Sequence, residues 1–347
     1  MAASTSHAPL AAIFGLSGPK LTDDERAFFA SIRPVGYILF ARNVETPAQV
    51  RGLVAELRAV VPGDDPLVLN DQEGGRVQRL RPPHWRFAPP MADFGALFAT
   101  NPDAAVKALT QNMQLIGQDL AALGIDVDCA PVLDVPVADA HDIIGDRAFG
   151  ADPTVVARLG IAAAEGLIAA GIVPVIKHIP GHGRARSDSH LALPVVESGL
   201  ADLRATDFAP FAAYARSGVS AFAMTAHVVY SAIDPERPAT TSPKVIGDFI
   251  RGEIGFDGLL MSDDLGMKAL AGPFDQRSAA SLTAGCDVVL HCDGTLDDMR
   301  AVARGSRPLN ADGARRLAAV AAIRRRPASV LAAAPTEVTI INALRRG

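Results

Sequence analysis

Short apolar runs recur along the chain and alternate with longer segments whose apolar positions repeat at helical spacing. Strands that are buried on both faces of a parallel sheet read as near-continuous apolar runs of this length. There are eight such runs, at residues 11–18, 35–41, 66–72, 125–135, 173–179, 221–229, 256–264 and 286–292. Eight strand–helix units in one chain predict a closed (β/α)8 TIM barrel of the α/β class rather than an open sheet.

The segments between these runs carry helix start and stop signals. Thr22 precedes an acidic turn with Glu25 at its third position, which predicts a capping box. Three more helices are expected to begin where a capping residue precedes a proline, at Thr46-Pro47, Asn101-Pro102 and Asp152-Pro153. Glycines stand where helices should end before the next strand, at Gly124, Gly171 and Gly285.

The structural alternative is a doubly wound sheet, which usually has a glycine-rich turn after its first strand. Here that turn spans residues 15–18 (GLSG) and lacks the spacing of a dinucleotide fold. We therefore assign a single domain over residues 1–347, with the barrel at about 10–310 and a C-terminal helix and tail at 311–347. The arginines of that last segment are expected to form a solvated face.

Composition narrows the class of protein. The chain has 347 residues, 49% of them hydrophobic, and a formal net charge of −5, which disfavours disorder and nucleic-acid binding. Its three cysteines follow no disulfide pattern and are expected to be buried or incidental thiols. No Lys or Arg precedes the first apolar run, and no run reaches membrane-span length, so we expect a cytoplasmic protein without a membrane partner.

Polar side chains, most of them ionisable, collect where six of the predicted strands end. Active sites of this fold lie at the carboxyl ends of the strands, so these residues predict a polar pocket at one rim. They are Asn70 and Asp71, Asp134, Lys177 and His178, His227, Asp263 and Asp264, and His291 with Asp293.

The loop after the fifth strand, KHIPGHGRARSDSHLALP, is rich in Gly, Ser and charge, so we expect it to be exposed and mobile. It contains His182, Asp188 and His190. A carboxylate two residues from a histidine can orient the imidazole and stabilise its protonated form. The alternative is a polar loop with ordinary surface histidines. The strand-end Lys177 and His178 beside it favour the functional interpretation.

The stretch NDQEGGRVQRL begins at Asn70 and follows the third strand. Gly74 and Gly75 allow a tight turn near a ligand. Asp71 can accept hydrogen bonds from neighbouring sugar hydroxyls, and Arg79 can donate in a fixed fork to an oxygen-rich group.

The sequence allows two interpretations for each of two charged residues, Glu73 and Arg147. Glu73 is interpreted as a structural ion partner of either nearby arginine, Arg76 or Arg79, with a pocket role as the other option. In IIGDRAFG, Asp146-Arg147 is either a salt-bridged loop anchor or the source of a pocket arginine, Arg147.

Taken together, DQEGGRVQR, IGDRAFG, KHIPGHG…DSH…LP, MTAHVVY and MSDDLGM resemble glycoside hydrolase family 3. The resemblance is to its β-N-acetylglucosaminidase branch, bacterial peptidoglycan-recycling enzymes, and covers roughly residues 10–295. It implies that Asp263 is the nucleophile, that His190 is the general acid/base and that Asp188 is its dyad partner. The sugar-binding positions that the resemblance implies are Asp71, Arg79, Arg147, Lys177 and His178.

The resemblance implies net retention through a covalent glycosyl-enzyme, with GlcNAc released from muropeptides of the GlcNAc-1,6-anhydro-MurNAc type. It also implies that Asp264 has a supporting role, although strand counting alone makes it as good a nucleophile as Asp263. Many β-glucosidases of the family use a second domain that supplies a carboxylic acid/base. Nothing after residue 295 is long enough for one, which favours the acetylglucosaminidase branch. No cofactor or metal is implied, and a monomer is the working expectation.

Three other functions compete with this one. A family 3 β-glucosidase or β-xylosidase is the first, because the sequence does not show how a 2-acetamido group is held. A metal-dependent barrel hydrolase using His178, His182, Asp188 and His190 is the second, although most of those ligands share one loop. A catalytically silent sugar-binding protein is the third. Arg184 and Arg186 on the same loop are either solvated or selective for an anionic leaving group.

Overall fold

The computed structural model describes residues 8–138, 141–185, 189, 192–324, 340 and 344. Within them, eight parallel strands close into a barrel in chain order, with the first strand paired to both the second and the eighth. The strands are β1 (Leu10–Phe14), β2 (Pro34–Leu39), β3 (Leu67–Asn70), β4 (Val127–Asp128), β5 (Val173–Ile179), β6 (Phe222–Thr225), β7 (Leu260–Asp264) and β8 (Val288–His291). Each predicted apolar run overlaps one strand, so the predicted TIM barrel is confirmed.

Helical segments follow every strand, as the alternating pattern predicts. They are α1 (Asp23–Ile32), α2 (Pro47–Ala59), α3 (Met91–Thr100), α4 (Pro102–Ala121), α5 (Pro153–Ala169), α6 (Leu200–Ala205), α7 (Phe208–Ser217), the π-helical segment Val245–Glu253, α8 (Phe274–Ala284), α9 (Leu296–Gly305), α10 (Ala311–Ala319) and α11 (Ala321–Arg324). The π-helical segment, which follows β6, was not anticipated by the sequence.

The predicted helix ends are confirmed by their hydrogen bonds. The Thr22 side chain accepts the Glu25 N–H, and the Glu25 side chain accepts the Thr22 N–H, which completes the capping box. The side chains before the three prolines, those of Thr46, Asn101 and Asp152, each accept an N–H from the first turn. The three glycines at the expected helix ends, Gly124, Gly171 and Gly285, have positive φ angles.

In the most fully buried strands, polar residues stand toward the carboxyl ends. Every residue of β2, β3, β5 and β6 is buried, which explains why these segments are apolar on both faces. The buried exceptions stand at carboxyl ends, at Asn70, Asp128, Lys177 and His178. Their burial makes each of them dependent on a polar partner.

A small hairpin, Gln72–Gly74 paired with Val77–Gln78, carries the chain out of β3 and back over the barrel rim. Gly74 and Gly75 turn it with φ angles of 106° and 57°, as their sequence predicts. A Cβ atom at Gly74 would lie 2.4 Å from the carbonyl oxygen of Pro89. The close approach that requires glycine here is therefore made by the chain at Pro89.

Two further expectations concern cysteines and membranes. Cys129 and Cys286 are buried and Cys292 is half-buried, all as free thiols, which confirms the interpretation of the cysteines. Among the helices of the described residues, none has the length and apolar character needed to cross a membrane.

Candidate active site

A cavity of about 380 Å³ lies at the carboxyl ends of the barrel strands, a volume typical of small-molecule sites. Six of the predicted site residues line it, namely Asp71, Arg79, Arg147, Lys177, His178 and Asp263. The other two predicted residues, Asp188 and His190, lie outside the described residues. Residues from distant parts of the chain thus meet in one polar cavity.

One side of the cavity is a continuous set of ion pairs, which we call the charged wall: Asp71, Glu73, Arg79, Arg147 and Lys177. The Lys177 Nζ atom lies 3.1 Å from Asp71 Oδ1 and 2.6 Å from Glu73 Oε1. Arg79 Nη2 donates to Asp71 Oδ2 at 3.0 Å. The Arg147 guanidinium binds both Glu73 carboxylate oxygens at 2.8 Å. Each carboxylate of the wall is therefore shared between two cations.

These pairs keep the charged wall ionised despite its burial. Burial alone would raise the pKa of Glu73, but the charges of Arg147 and Lys177 outweigh it and lower the pKa to about 2. Asp71 follows the same balance, with Lys177 and Arg79 holding its pKa well below the usual range. Burial would lower the pKa of Lys177, but Glu73 and Asp71 raise it above its ordinary value.

The partners of Glu73 differ from those expected. The prediction that Glu73 pairs with Arg76 or Arg79 is wrong, because Arg147 and Lys177 occupy its oxygens. Arg76 instead binds Asp146 at 3.0 Å and the carbonyls of residues 142–144. For Arg147 the two sequence alternatives hold together, since it is salt-bridged and also lines the cavity.

His178 is held toward the cavity by Asp134, a buried residue that does not itself line the cavity. Asp134 Oδ2 lies 2.7 Å from His178 Nδ1, and its Oδ1 accepts the backbone N–H groups of His178 at 3.1 Å and His182 at 2.6 Å. Burial would raise the pKa of Asp134, but His178 and these hydrogen bonds lower it to about 2. Asp134 therefore works as a carboxylate that orients two histidine positions.

Asp263 and Asp264, which we call the β7 pair, form another part of the cavity wall. The carboxylate of Asp264 accepts the backbone N–H groups of Gly266 and Cys292, both at 2.9 Å. Its carbonyl oxygen accepts from His227 Nε2 at 3.0 Å. Asp263 Oδ1 accepts only the neighbouring Asp264 N–H, at 2.8 Å, among the described residues. Asp264 Oδ1 thus holds two backbone N–H groups, whereas the described residues give Asp263 a single N–H, from its own neighbour.

The environment of Asp263 favours its ionised form. Burial acts to raise the pKa of Asp263, but the nearby His178 and His227 imidazoles and the Asp264 N–H together hold it below the ordinary value. A nucleophilic carboxylate has to be deprotonated at the working pH. Asp263 meets this requirement at neutral pH.

The loop after β5 is exposed in only part of its described length. His182 and Ser189 are each 3% exposed, so the expectation of exposure is wrong at these positions, whereas Leu193 is 39% exposed, as expected. The Arg184 guanidinium binds Asp207 and Thr206 at 2.6 Å, so Arg184 is neither solvated nor available to an anionic leaving group. Arg186 lies outside the described residues.

The ionisable strand ends do not all contribute to the cavity. Those that do not line it are Asn70, Asp134, His227, His291 and Asp293. His291 is fully buried and packs edge-to-face on Phe274 at a centroid distance of 4.9 Å. Conversely, Phe40 and Ser189 line the cavity although no sequence pattern singled them out. The Arg79 guanidinium carbon lies 5.1 Å from the centre of the Phe40 ring, a cation–π contact. Phe40 was not predicted because an apolar residue at a strand end does not indicate a site.

Of the four residues in the metal-site hypothesis, only His178 and His182 are described. Their ring centroids are 5.7 Å apart, and His178 Nδ1 is engaged by Asp134. Across the described part of the chain, no cluster of three or more His, Cys, Asp or Glu side chains is placed to bind a metal ion.

Comparison with known proteins gives a consistent set of relatives. Residues 11–310 match the family described as "Glycosyl hydrolase family 3 N terminal domain". A Beta-hexosaminidase of Stenotrophomonas maltophilia (strain R551-3) is 42% identical over 300 residues, which cover 86% of this chain and 88% of that protein.

Solved structures agree with this match. NagZ from Neisseria gonorrhoeae in complex with N-trifluoroacetyl-D-glucosamine has a TM-score of 0.82 and 32% identity, over 98% of this chain and 94% of that one. A glycoside hydrolase family 3 β-N-acetylglucosaminidase from Paenibacillus sp. str. FPU-7 has a TM-score of 0.84 and 31% identity, over 97% of this chain and 66% of that one. The chain therefore belongs to glycosyl hydrolase family 3.

Proposed function

We propose that this chain hydrolyses terminal β-linked N-acetylglucosamine with retention of configuration, using Asp263 as its nucleophile. It is a glycoside hydrolase of the β-N-acetylhexosaminidase type, and its curated relatives are named Beta-hexosaminidase. The observation that carries the proposal is the pairing of a free, ionised Asp263 with a charged wall in one sugar-sized cavity. Retention, substrate and residue roles are parts of this proposal.

The charged wall is suited to hold a sugar ring by its hydroxyl groups. Asp71 accepts from hydroxyls, while Arg79 and Lys177 donate, and their mutual ion pairs fix all three side chains before a ligand arrives. Such preorganisation reduces the entropy lost on binding. His178, fixed by Asp134, adds a further ring nitrogen on the cavity side. The wall would therefore orient C1 of the sugar toward the β7 pair.

The first chemical step forms a covalent glycosyl-enzyme. Asp263 uses a carboxylate lone pair to form a bond to C1, and the bond from C1 to the leaving oxygen breaks. His190 donates a proton to that oxygen, so the leaving group departs as a neutral alcohol. Asp188 stabilises the protonated imidazole before the transfer. The roles of His190 and Asp188 rest on the family resemblance.

The second step returns the enzyme to its starting state. Water attacks C1 while His190 removes its proton, and the bond from C1 to Asp263 breaks with the electron pair returning to the carboxylate. Two displacements at one carbon give net retention. A histidine has an ordinary pKa near neutrality, so one residue can both donate and accept the proton at physiological pH.

For the natural substrate we propose a GlcNAc-containing muropeptide, of the GlcNAc-1,6-anhydro-MurNAc type, processed in the cytoplasm during peptidoglycan recycling. The support is the bacterial Beta-hexosaminidase relatives and the complex of N. gonorrhoeae NagZ with N-trifluoroacetyl-D-glucosamine. The cavity volume of about 380 Å³ suits a single terminal sugar better than an internal segment of a polymer.

The test compares p-nitrophenyl β-N-acetylglucosaminide with the matching β-glucoside and β-xyloside. We expect kcat/KM for the N-acetylglucosaminide to exceed the others by at least about 100-fold, an energy difference typical of a well-placed polar group. The anomer formed first is read by NMR and should be β. A preference for the glucoside or xyloside, or an α product, contradicts the proposal.

A further inference from the structure

Ser189 is tied to the rest of the rim through two groups. Its hydroxyl lies 3.0 Å from His182 Nε2, and its carbonyl oxygen accepts the Ala269 N–H at 3.2 Å. Ser189 is 3% exposed and lines the cavity. In the sequence it stands between Asp188 and His190, the two residues proposed for proton transfer. Burying a polar side chain costs free energy unless the side chain is hydrogen-bonded.

His182 is itself fixed from the barrel side. Its backbone N–H donates to Asp134 Oδ1 at 2.6 Å, and the same carboxylate holds His178. Burial and the neighbouring His178 lower the pKa of His182 to about 4, so its ring is neutral at physiological pH. A neutral ring next to a hydroxyl makes an ordinary hydrogen bond without adding charge to the cavity. His182 therefore presents Nε2 to Ser189 from a held backbone, while its buried Nδ1 has no hydrogen-bond partner among the described residues.

Ala269 fixes the other side of Ser189 to the segment that follows β7. In that segment the Met267 N–H donates to the Asp264 carbonyl at 3.1 Å, and Arg277 donates to the Leu265 carbonyl at 2.6 Å. The segment is therefore anchored directly to the strand end that carries Asp263. Through Ser189, the loop after β5 is joined to the strand of the nucleophile.

We propose that His182 and Ser189 are positioning residues, which set the proton-transfer residues in register with Asp263. The inference rests on the proposed function, since it concerns the residues that flank Ser189. Ser189 is bonded in the chain to both of them, and its hydrogen bonds to His182 and Ala269 join this point of the chain to the rim. An error of about 1 Å at a reacting group is enough to cost a large factor in rate.

The test uses aryl N-acetylglucosaminides with good and poor leaving groups, 2,4-dinitrophenyl and phenyl, on the full chain. Only the poor leaving group needs a proton from the enzyme. For Ser189→Ala we expect kcat/KM to fall about 10- to 100-fold for the phenyl substrate and less than about threefold for the dinitrophenyl substrate. Ser189→Thr, which keeps the hydroxyl, should restore most of the phenyl activity. Ser217→Ala, whose hydroxyl caps the Tyr214 carbonyl away from the cavity, is the matched control.

Two further measurements separate positioning from general damage. Azide replaces the water that needs a general base, so it should raise kcat of Ser189→Ala on the dinitrophenyl substrate and yield the β-glycosyl azide. His182→Leu should give the same pattern, and the double variant should be no worse than Ser189→Ala, because both remove one interaction. Equal losses on both aryl substrates, or additive losses in the double variant, would overturn the inference.

His190→Ala distinguishes failure of this inference from failure of the proposed function. If His190→Ala shows the leaving-group dependence and Ser189→Ala does not, the positioning role is wrong and the proposed function stands. If His190→Ala itself has full activity on the phenyl substrate, the proposed acid/base is wrong, and the positioning inference is overturned with it.

Discussion

The two sides of the cavity handle their carboxylates in opposite ways. In the charged wall, Asp71 and Glu73 are each shared between two cations at 2.6–3.1 Å. Of the β7 pair, Asp264 is occupied by backbone N–H groups, and Asp263 accepts one N–H from its neighbour. The proposed binding residues are therefore immobilised by ion pairs, and among the described residues the proposed nucleophile is bound by no cation.

This difference fits the roles proposed for the two sides. A sugar hydroxyl can add a hydrogen bond to a carboxylate that is already paired, so ion pairing does not prevent binding. A nucleophile must direct an unshared electron pair at carbon, and a cation bound to it would reduce its reactivity. The contrast also separates Asp263 from Asp264, which the strand pattern alone leaves equivalent.

The largest expected effect comes from exchanging the β7 carboxylates one at a time. Asp263→Asn should lower kcat by about 10³-fold or more, because the amide cannot form the glycosyl-enzyme. Asp264→Ala should cost mainly stability, since it removes the acceptor of two backbone N–H groups. Chromogenic assays and thermal melts of both variants measure this. The reverse pattern would show that the nucleophile has been assigned to the wrong neighbour.

The next effect concerns the charged wall. Glu73→Gln leaves Lys177 and Arg147 buried with less compensation, and we expect a loss of about 3 kcal/mol in the free energy of unfolding. Glu56→Gln, which weakens an exposed pairing with Arg26, is the control and should cost less than about 1 kcal/mol. Urea unfolding measures both. Equal losses would mean that the wall contributes no more than a surface ion pair.

The smallest effect is a change in the pH dependence of stability. Asp128 lies on β4 near the charged wall. Burial is the main cause that raises its pKa from 3.8 to about 8, and the charges of Asp71 and Glu73 add to it. The Gln72 N–H and Lys177 act in the opposite direction but do not outweigh burial. The folded chain keeps this proton up to about pH 8, whereas the unfolded chain loses it near pH 4. Stability therefore falls as the pH rises between these values.

Asp128→Asn keeps the acceptor for the Gln72 N–H and cannot ionise. We expect its loss of stability between pH 5 and pH 8 to be smaller than that of the unchanged chain by about 1–3 kcal/mol. Denaturant unfolding at the two pH values measures the difference. Identical pH dependence in both proteins would mean that Asp128 is ionised in the folded state.

The barrel could be predicted from the sequence because the signals for strands and helix ends are local. Apolar runs, capping residues and proline positions are fixed by neighbours a few residues apart, and they predict the strands and helix starts well. Strand-end chemistry also predicted five residues that line the cavity, namely Asp71, Lys177, His178, Asp263 and Asp264.

Contacts between residues that are far apart in the chain could not be predicted from the sequence, because only folding brings those residues together. Glu73 and Arg147 are 74 positions apart, so a search among neighbours selected the wrong arginines. The loop after β5 has the composition of an exposed loop, yet His182 is buried because Asp134, 48 positions earlier, holds its backbone. Ser189 carried no signal of its own, because its partner Ala269 contributes a backbone N–H that any residue other than proline could provide.

The most direct test of the account is to trap the glycosyl-enzyme. The protein is incubated with 5-fluoro-N-acetylglucosaminyl fluoride, which accumulates the covalent intermediate, and is then digested and analysed by mass spectrometry. The account predicts one added fluoro-N-acetylglucosaminyl group on the carboxylate of Asp263, absent from Asp263→Asn. An adduct on Asp264, or turnover of the probe with inversion and no adduct, would contradict it.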